Sequence, residues 1–240
     1  VDVVAEVRMP LYWTTDGTYY QWSPVPYTLP SGSQITITTH ADFATVDAAG
    51  GTSWRVYIDP VFRLSAYLRS YHVGATRVCL AGHSGGGWTS LIAGALDETI
   101  DLVASVHGWC PIGAAGEPNR DYEQTADWLL VDRGMTYEDY SAMVGARRQL
   151  ICTGSDDPVF GASVLGQSAI DAMVASVQAR GANLAQQTFT ALDHHTVADE
   201  ATWICDEMDA LGSPLYVAPR WTGALATATD LARIATTLAG

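Results

Sequence analysis

A short apolar run, Thr76-Arg77-Val78-Cys79-Leu80-Ala81, leads straight into Gly82-His83-Ser84-Gly85-Gly86, and from Gly87 to Leu96 the chain is apolar almost all round. The first segment reads as a buried strand and the last as a buried helix carrying Trp88, Leu91, Ile92, Ala93, Ala95 and Leu96. Strand, tight Gly-x-Ser-x-Gly turn and helix together make the context that a nucleophilic serine requires. The motif glycines are expected because a side chain at those positions would clash in so sharp a turn. The helix start then offers backbone N–H groups and a positive dipole end where an oxyanion would form.

Around this motif the chain alternates strand and helix patterns, which predicts an α/β fold with a mainly parallel central sheet flanked by helices. Strands are expected at Gln34–Thr39, Trp54–Ile58, Thr76–Ala81, Leu102–His107, Gln149–Thr153 and Gln187–Leu192. Helices are expected at Pro60–Tyr71, Gly87–Leu96, Ser163–Arg180, Val197–Leu211 and Gly223–Leu238. Residues 1–33, rich in proline and aromatics, predict early antiparallel strands with turns. Residues 110–148 form a long excursion between two core strands, with two short helices, expected to overhang the serine as a small cap or substrate wall. With 240 residues, 48% of them hydrophobic, and neither repeat nor linker, the chain reads as a single domain over residues 1–240.

A net charge of −14, with 26 acidic residues against 12 arginines and no lysine, would repel nucleic acid and anionic membranes. Neither is expected as a partner, and no apolar run reaches the length of a membrane span. Cys79, Cys110, Cys152 and Cys205 show no metal-binding spacing. Cys79 and Cys152 read as buried core residues, and one disulfide involving Cys110 or Cys205 is left open. The even cysteine count, the acidic lysine-free surface and the absence of an initial methionine lean towards a secreted protein.

A serine hydroxyl needs a base to take its proton and a third group to orient that base. On a turn of this kind the partners follow in the order acid, then histidine. Gln149 to Thr153 runs into Gly154-Ser155-Asp156-Asp157-Pro158, where Asp157 is favoured as the acid over Asp156. The strand Gln187–Leu192 ends in Asp193-His194-His195-Thr196, so the base is His194 or His195. The oxyanion donors are expected to be the N–H of Gly85 and, from the loop His40-Ala41-Asp42, that of Asp42. His40 and His107 also end strands, but they precede the acid and read as wall or loop residues.

These residues resemble the α/β-hydrolase fold superfamily over roughly residues 34–211. Within it, Ser84-Gly85-Gly86-Gly87-Trp88-Thr89, Glu123-Gln124, Arg148-Gln149-Leu150 and the Asp157-Pro158 turn ending in Phe160 look like a bacterial branch of acetyl-xylan-esterase-like and dienelactone-hydrolase-like serine esterases. That resemblance implies Ser84 as nucleophile, Asp157 as acid and, from His195-Thr196-Val197-Ala198, His195 as base, with His194 the alternative. The loop after His40 lacks the glycine common there, and there is little sign of a large lid. The implied activity is carboxylic ester hydrolysis through an acyl-enzyme, on small or accessible esters, extending to polymer esters such as acetylated polysaccharide or polyester. No cofactor or metal is implied. Trp88, Trp109 and His107 are expected to line the substrate pocket. A thioesterase, amidase or peptidase on the same triad is the first alternative, and a non-catalytic binding protein of this fold the second.

Overall fold

A computed structural model describes residues 24–70, 77–109, 122–125, 134–194 and 198–211. Strands β1 (Val25–Thr28) and β2 (Gln34–Ile37) form an antiparallel hairpin with Val25 opposite Ile37. Helices α1 (Asp42–Ala48) and α2 (Arg55–Arg69) follow, then β3 (Cys79–His83), α3 (Gly85–Leu96) and β4 (Leu102–Val106). The rest comprises α4 (Tyr122–Thr125), α5 (Tyr137–Val144), β5 (Arg148–Gly154), α6 (Ala162–Leu165), α7 (Gln167–Ala179), β6 (Asn183–Phe189) and α8 (Ala198–Ala210).

Strands β3 to β6 lie side by side in sequence order and every neighbouring pair is parallel. Their register is level: Cys79 pairs with Leu102, Leu102 with Arg148 and Arg148 with Asn183. All four C-terminal ends therefore open onto one edge, where the loops of such sheets build their sites.

The sheet is covered on both faces, and β4 is buried along its whole length. Leu102, Ala104 and Val106 pack with Leu150, Cys152 and Ile204 of α8. Val103 belongs instead to the larger cluster with Trp88, Leu91 and Ile92 of α3 and Met173 and Val177 of α7. Successive side chains of a strand point to opposite faces, so one strand serves two hydrophobic layers. Helix α5 joins the larger cluster through Tyr137, Tyr140 and Val144. It is started by a capping box in which Thr136 and Asp139 bond each other's backbone N–H. This end of the 110–148 excursion is thus scaffold packed on α3 and α7 rather than an overhanging cap.

Trp54–Ile58, expected as a strand, belongs to α2 and its lead-in. Its β-branched and aromatic residues favour strand locally. In the fold, Tyr57, Ile58, Val61 and Ser65 share one buried helical face, and that packing outweighs propensity and the bond lost at Pro60. The single helix expected over Ser163–Arg180 is broken at Gly166 (φ 80°) into α6 and α7. The last strand ends at Phe189, so residues 190–192 belong to the loop that follows. The expected helix Gly223–Leu238 and residues 1–23 lie outside the described residues. Cys79, Cys152 and Cys205 are free thiols, while Cys110 lies outside the described residues. Burial pushes the Cys79 thiol up to about 11. Among the described residues no helix is long and apolar enough to cross a membrane.

Candidate active site

Three residues other than glycine adopt positive φ among those described: Ser84 (54°), His107 (50°) and Ala191 (57°). Each stands just past the end of a sheet strand (β3, β4 and β6) on the same edge. Left-handed backbone at such residues costs on the order of 1–3 kcal/mol each, and it persists only where the surroundings enforce it.

At Ser84 the enforcement is visible. Its N–H donates to the Val106 carbonyl at 2.8 Å, and its carbonyl accepts from the Trp88 N–H at 3.1 Å. The turn is also sterically closed. A Cβ on Gly82 would lie 2.2 Å from the Gly86 carbonyl oxygen, and one on Gly108 would lie 2.3 Å from the Ser84 carbonyl oxygen. Gly86 has nothing within 4 Å of such a Cβ, so crowding explains the first glycine of the motif but not the last.

The acid and the histidine are placed by a lacing of the loops after β5 and β6. The Ser155 N–H donates to the Phe189 carbonyl and the Asp156 N–H to the Leu192 carbonyl, both at 2.9 Å. The Ala191 N–H donates to Ser155 Oγ at 2.8 Å. This brings His194 Nε2 to 2.9 Å from Ser84 Oγ and His194 Nδ1 to 3.0 Å from Asp157 Oδ2. A carboxylate only accepts, so Nδ1 carries the proton of neutral His194 and Nε2 is left to accept from the Ser84 hydroxyl.

Asp157 is fully buried, whereas Asp156 is exposed and accepts from Ser155 Oγ. Both oxygens of Asp157 are saturated. Oδ1 accepts from the Val159 and Phe160 N–H groups at 2.7 and 3.1 Å, and Oδ2 from His194 and from His107 Nδ1 at 2.7 Å. Burial works to raise its pKa, but these bonds, led by those from the two histidines, hold it far below the usual carboxylate range.

Sequence reasoning placed His195 as the preferred base, and that residue lies outside the described ones. His194 is the histidine that meets Ser84 and Asp157. Neighbouring residues at the end of a strand cannot be ranked by position alone; the loop that follows β6 turns His194 inward. The expectation for the Asp42 N–H is corrected. Its N–H donates to the Thr39 carbonyl at 3.1 Å, and its carboxylate binds the Thr38 and Thr39 N–H groups. Gly85 opens α3, where an N–H has no i−4 acceptor within the helix. His40 reaches Tyr57 Oη at 3.3 Å, and Tyr57 meets Trp88 edge-on.

The three expected pocket residues are not walls. Trp88 and Trp109 are each 1% exposed and belong to the main core cluster. Withdrawing an indole from water is worth about 5 kcal/mol before other costs, which favours the core over an open cleft. His107 is wholly buried, with Nδ1 on Asp157 and Nε2 at 2.9 Å from Glu200 Oε1. Glu200, also fully buried, escaped sequence reasoning; an acidic residue in the first turn of a helix is ordinarily a solvated favourable charge. A cleft of about 550 Å³ lined by Leu96, Glu98, Met143 and Arg147 lies at the far end of α3, away from Ser84.

His107, Asp157 and His194 bring one potential metal-ligand atom each within 4.8 Å. Their ring nitrogens are committed to Asp157, Glu200 and Ser84, so they present no open ligand set.

His107 also makes stability depend on pH. Burial works to lower its pKa from 6.5, but the hydrogen bonds to Asp157 and Glu200 outweigh it and raise it to about 9. A raised folded-state pKa stabilises the fold fully below pH 6.5 and is lost as pH rises through about 9. The gain is on the order of 3 kcal/mol. The melting temperature is therefore expected to fall between about pH 7 and pH 10, and to fall less in Glu200→Gln. Parallel melting curves for the two proteins would show that His107 is not the source.

No protein-family profile and no curated protein sequence matches the chain. Among solved structures it is similar to a glucuronoyl esterase from Teredinibacter turnerae, with 13% identity and a TM-score of 0.52 over 67% of this chain and 47% of that one. It is similar also to a puromycin hydrolase, with 13% identity and a TM-score of 0.52 over 82% of this chain and 40% of that one. The chain spans less than half the length of either, and at these identities the likeness is one of fold.

Proposed function

We propose, since this chain folds as an α/β-hydrolase, that it is a serine hydrolase cleaving carboxylic esters through an acyl-enzyme on Ser84. The observation that carries this reading is the unbroken chain of contacts from Ser84 Oγ through His194 to buried Asp157, at 2.9 and 3.0 Å.

In this reading His194 Nε2 takes the hydroxyl proton as Ser84 Oγ attacks the ester carbonyl carbon. The Gly85 N–H, at the start of α3, meets the developing oxyanion; one such donor is worth about 2.7–4 kcal/mol in the transition state. His194 then protonates the departing alcohol, and in the second half takes a proton from the water that releases the acid. Asp157, held by four donors, fixes the tautomer of His194 and stabilises its imidazolium. The strained φ of Ser84 presents Oγ clear of its own backbone, which is the use of storing strain at this turn. Substrates would be small or accessible esters, with polymer esters the natural extension.

The test is intact-protein mass spectrometry after exposure to a fluorophosphonate. One addition is expected in the wild type and none in Ser84→Ala. A folded wild type that stays unlabelled would sink the proposal and favour a binding protein. Rates on matched ester, thioester and amide substrates separate an esterase from a thioesterase or amidase on the same residues.

A further inference from the structure

Resting on Ser84, Asp157 and His194 as a working triad, the geometry points to a second function for the buried pair behind it. We propose that His107 and Glu200 form a charged positioning pair that holds Asp157 from the rear, in the orientation from which Oδ2 serves His194.

The argument begins with donors and acceptors. Both ring nitrogens of His107 face carboxylate oxygens, Asp157 Oδ2 at 2.7 Å and Glu200 Oε1 at 2.9 Å. Neutral imidazole carries one N–H and imidazolium carries two. Two acceptor-only partners therefore call for the charged ring, and all three side chains are fully buried, where a charge is tolerated only when paired. The pK of His107, raised to about 9, agrees with this.

The charge matters because Asp157 Oδ2 is shared. The same oxygen accepts from His107 and from His194, so the carboxylate that would stabilise a protonated His194 is already partly neutralised. Glu200 sits on the far side of the His107 ring from Asp157, so its opposing charge acts on His194 from further away. The pair therefore fixes which way Oδ2 is presented to His194 and how much of its charge is already committed to His107. The titratable groups facing the pair are His83 from β3, whose ring lies 5.3 Å from that of His107 and 5.0 Å from that of His194, together with Cys152 from β5, Asp157, His194 and Glu200 itself. His107 touches no substrate in this arrangement; it works through Asp157.

The first test uses the whole chain labelled with nitrogen-15 histidine. Near about pH 7.5 both His107 ring nitrogens are expected to carry protons in the wild type, and one is expected to lose its proton in Glu200→Gln. A bare His107 nitrogen in the wild type overturns the proposal. The second test uses His107→Gln combined with Glu200→Gln, which leaves no buried charge unpaired. Its fluorophosphonate labelling rate is expected to fall at least about tenfold, and kcat on a small ester with it while KM stays within about twofold, with melting temperature followed alongside. A merely structural pair would lower the melting temperature and leave the kcat of the folded protein in place, and that result overturns the proposal. Absence of labelling in the wild type would instead remove the triad reading and this proposal with it. The nitrogen spectrum would still report the charged ring, so the two failures are distinguishable.

Discussion

Replacing His194 by alanine is expected to lower kcat on a small ester by on the order of 10⁶, as much as Ser84→Ala, while His195→Ala stays within a few-fold of the wild type. The reason lies in how the three groups act. In the proposed mechanism Ser84 is a poor nucleophile until its proton has somewhere to go, and His194 Nε2, at 2.9 Å, is placed to take it. Without His194 the strained serine keeps its proton, and only substrate binding and the Gly85 N–H remain to help. Because nucleophile and base act as a unit, the double variant is expected to be no slower than either single one. Steady-state kinetics on the wild type and the four variants, with folding checked by circular dichroism, measures this. If His195→Ala carries the loss and His194→Ala does not, the base has been misassigned.

The second large effect is on folding. Gly82→Ala is expected to destabilise the protein by more than about 3 kcal/mol, whereas Gly86→Ala is neutral or gains up to about 1 kcal/mol. Both glycines belong to the same five-residue motif. A Cβ on Gly82 would sit 2.2 Å from the Gly86 carbonyl oxygen and 2.4 Å from its carbon, and backbone at the start of a packed helix cannot yield that distance. A Cβ on Gly86 meets nothing within 4 Å, and alanine is the better helix former. Urea unfolding of the two variants beside the wild type decides the matter. Equal destabilisation would mean that flexibility, not crowding, selects the motif glycines.

Much of the scaffold was legible because it rests on local pattern. The apolar run before Gly82 and the apolar stretch after Gly87 are β3 and α3, and the runs at 102–107 and 149–153 overlap β4 and β5. Trp54–Ile58 was misread because five residues are too few to show which period they follow. Its helical face, Tyr57, Ile58, Val61 and Ser65, appears only when the segment is read through Pro60, which itself argues against a helix. Trp88, Trp109 and His107 were read as pocket walls because they adjoin strand ends. Position along the chain says that a residue lies near the edge, not whether it faces solvent or the layer beneath.

Local pattern along the chain was therefore enough for the four parallel strands in their order, the sharp turn and helix at Ser84 and the kinds of group that follow it. Each is encoded within a few residues, by glycine spacing, apolar period and chain order. It took the assembled fold to bring His194 to Ser84 and Asp157, to withdraw the Asp42 N–H into its own turn, and to join His107 to Asp157 and Glu200, which are 50 and 93 residues away along the chain. Those choices depend on which side chains meet across loops laced at one sheet edge. Contacts of that range are fixed by the packing of the whole fold, and no local pattern records them.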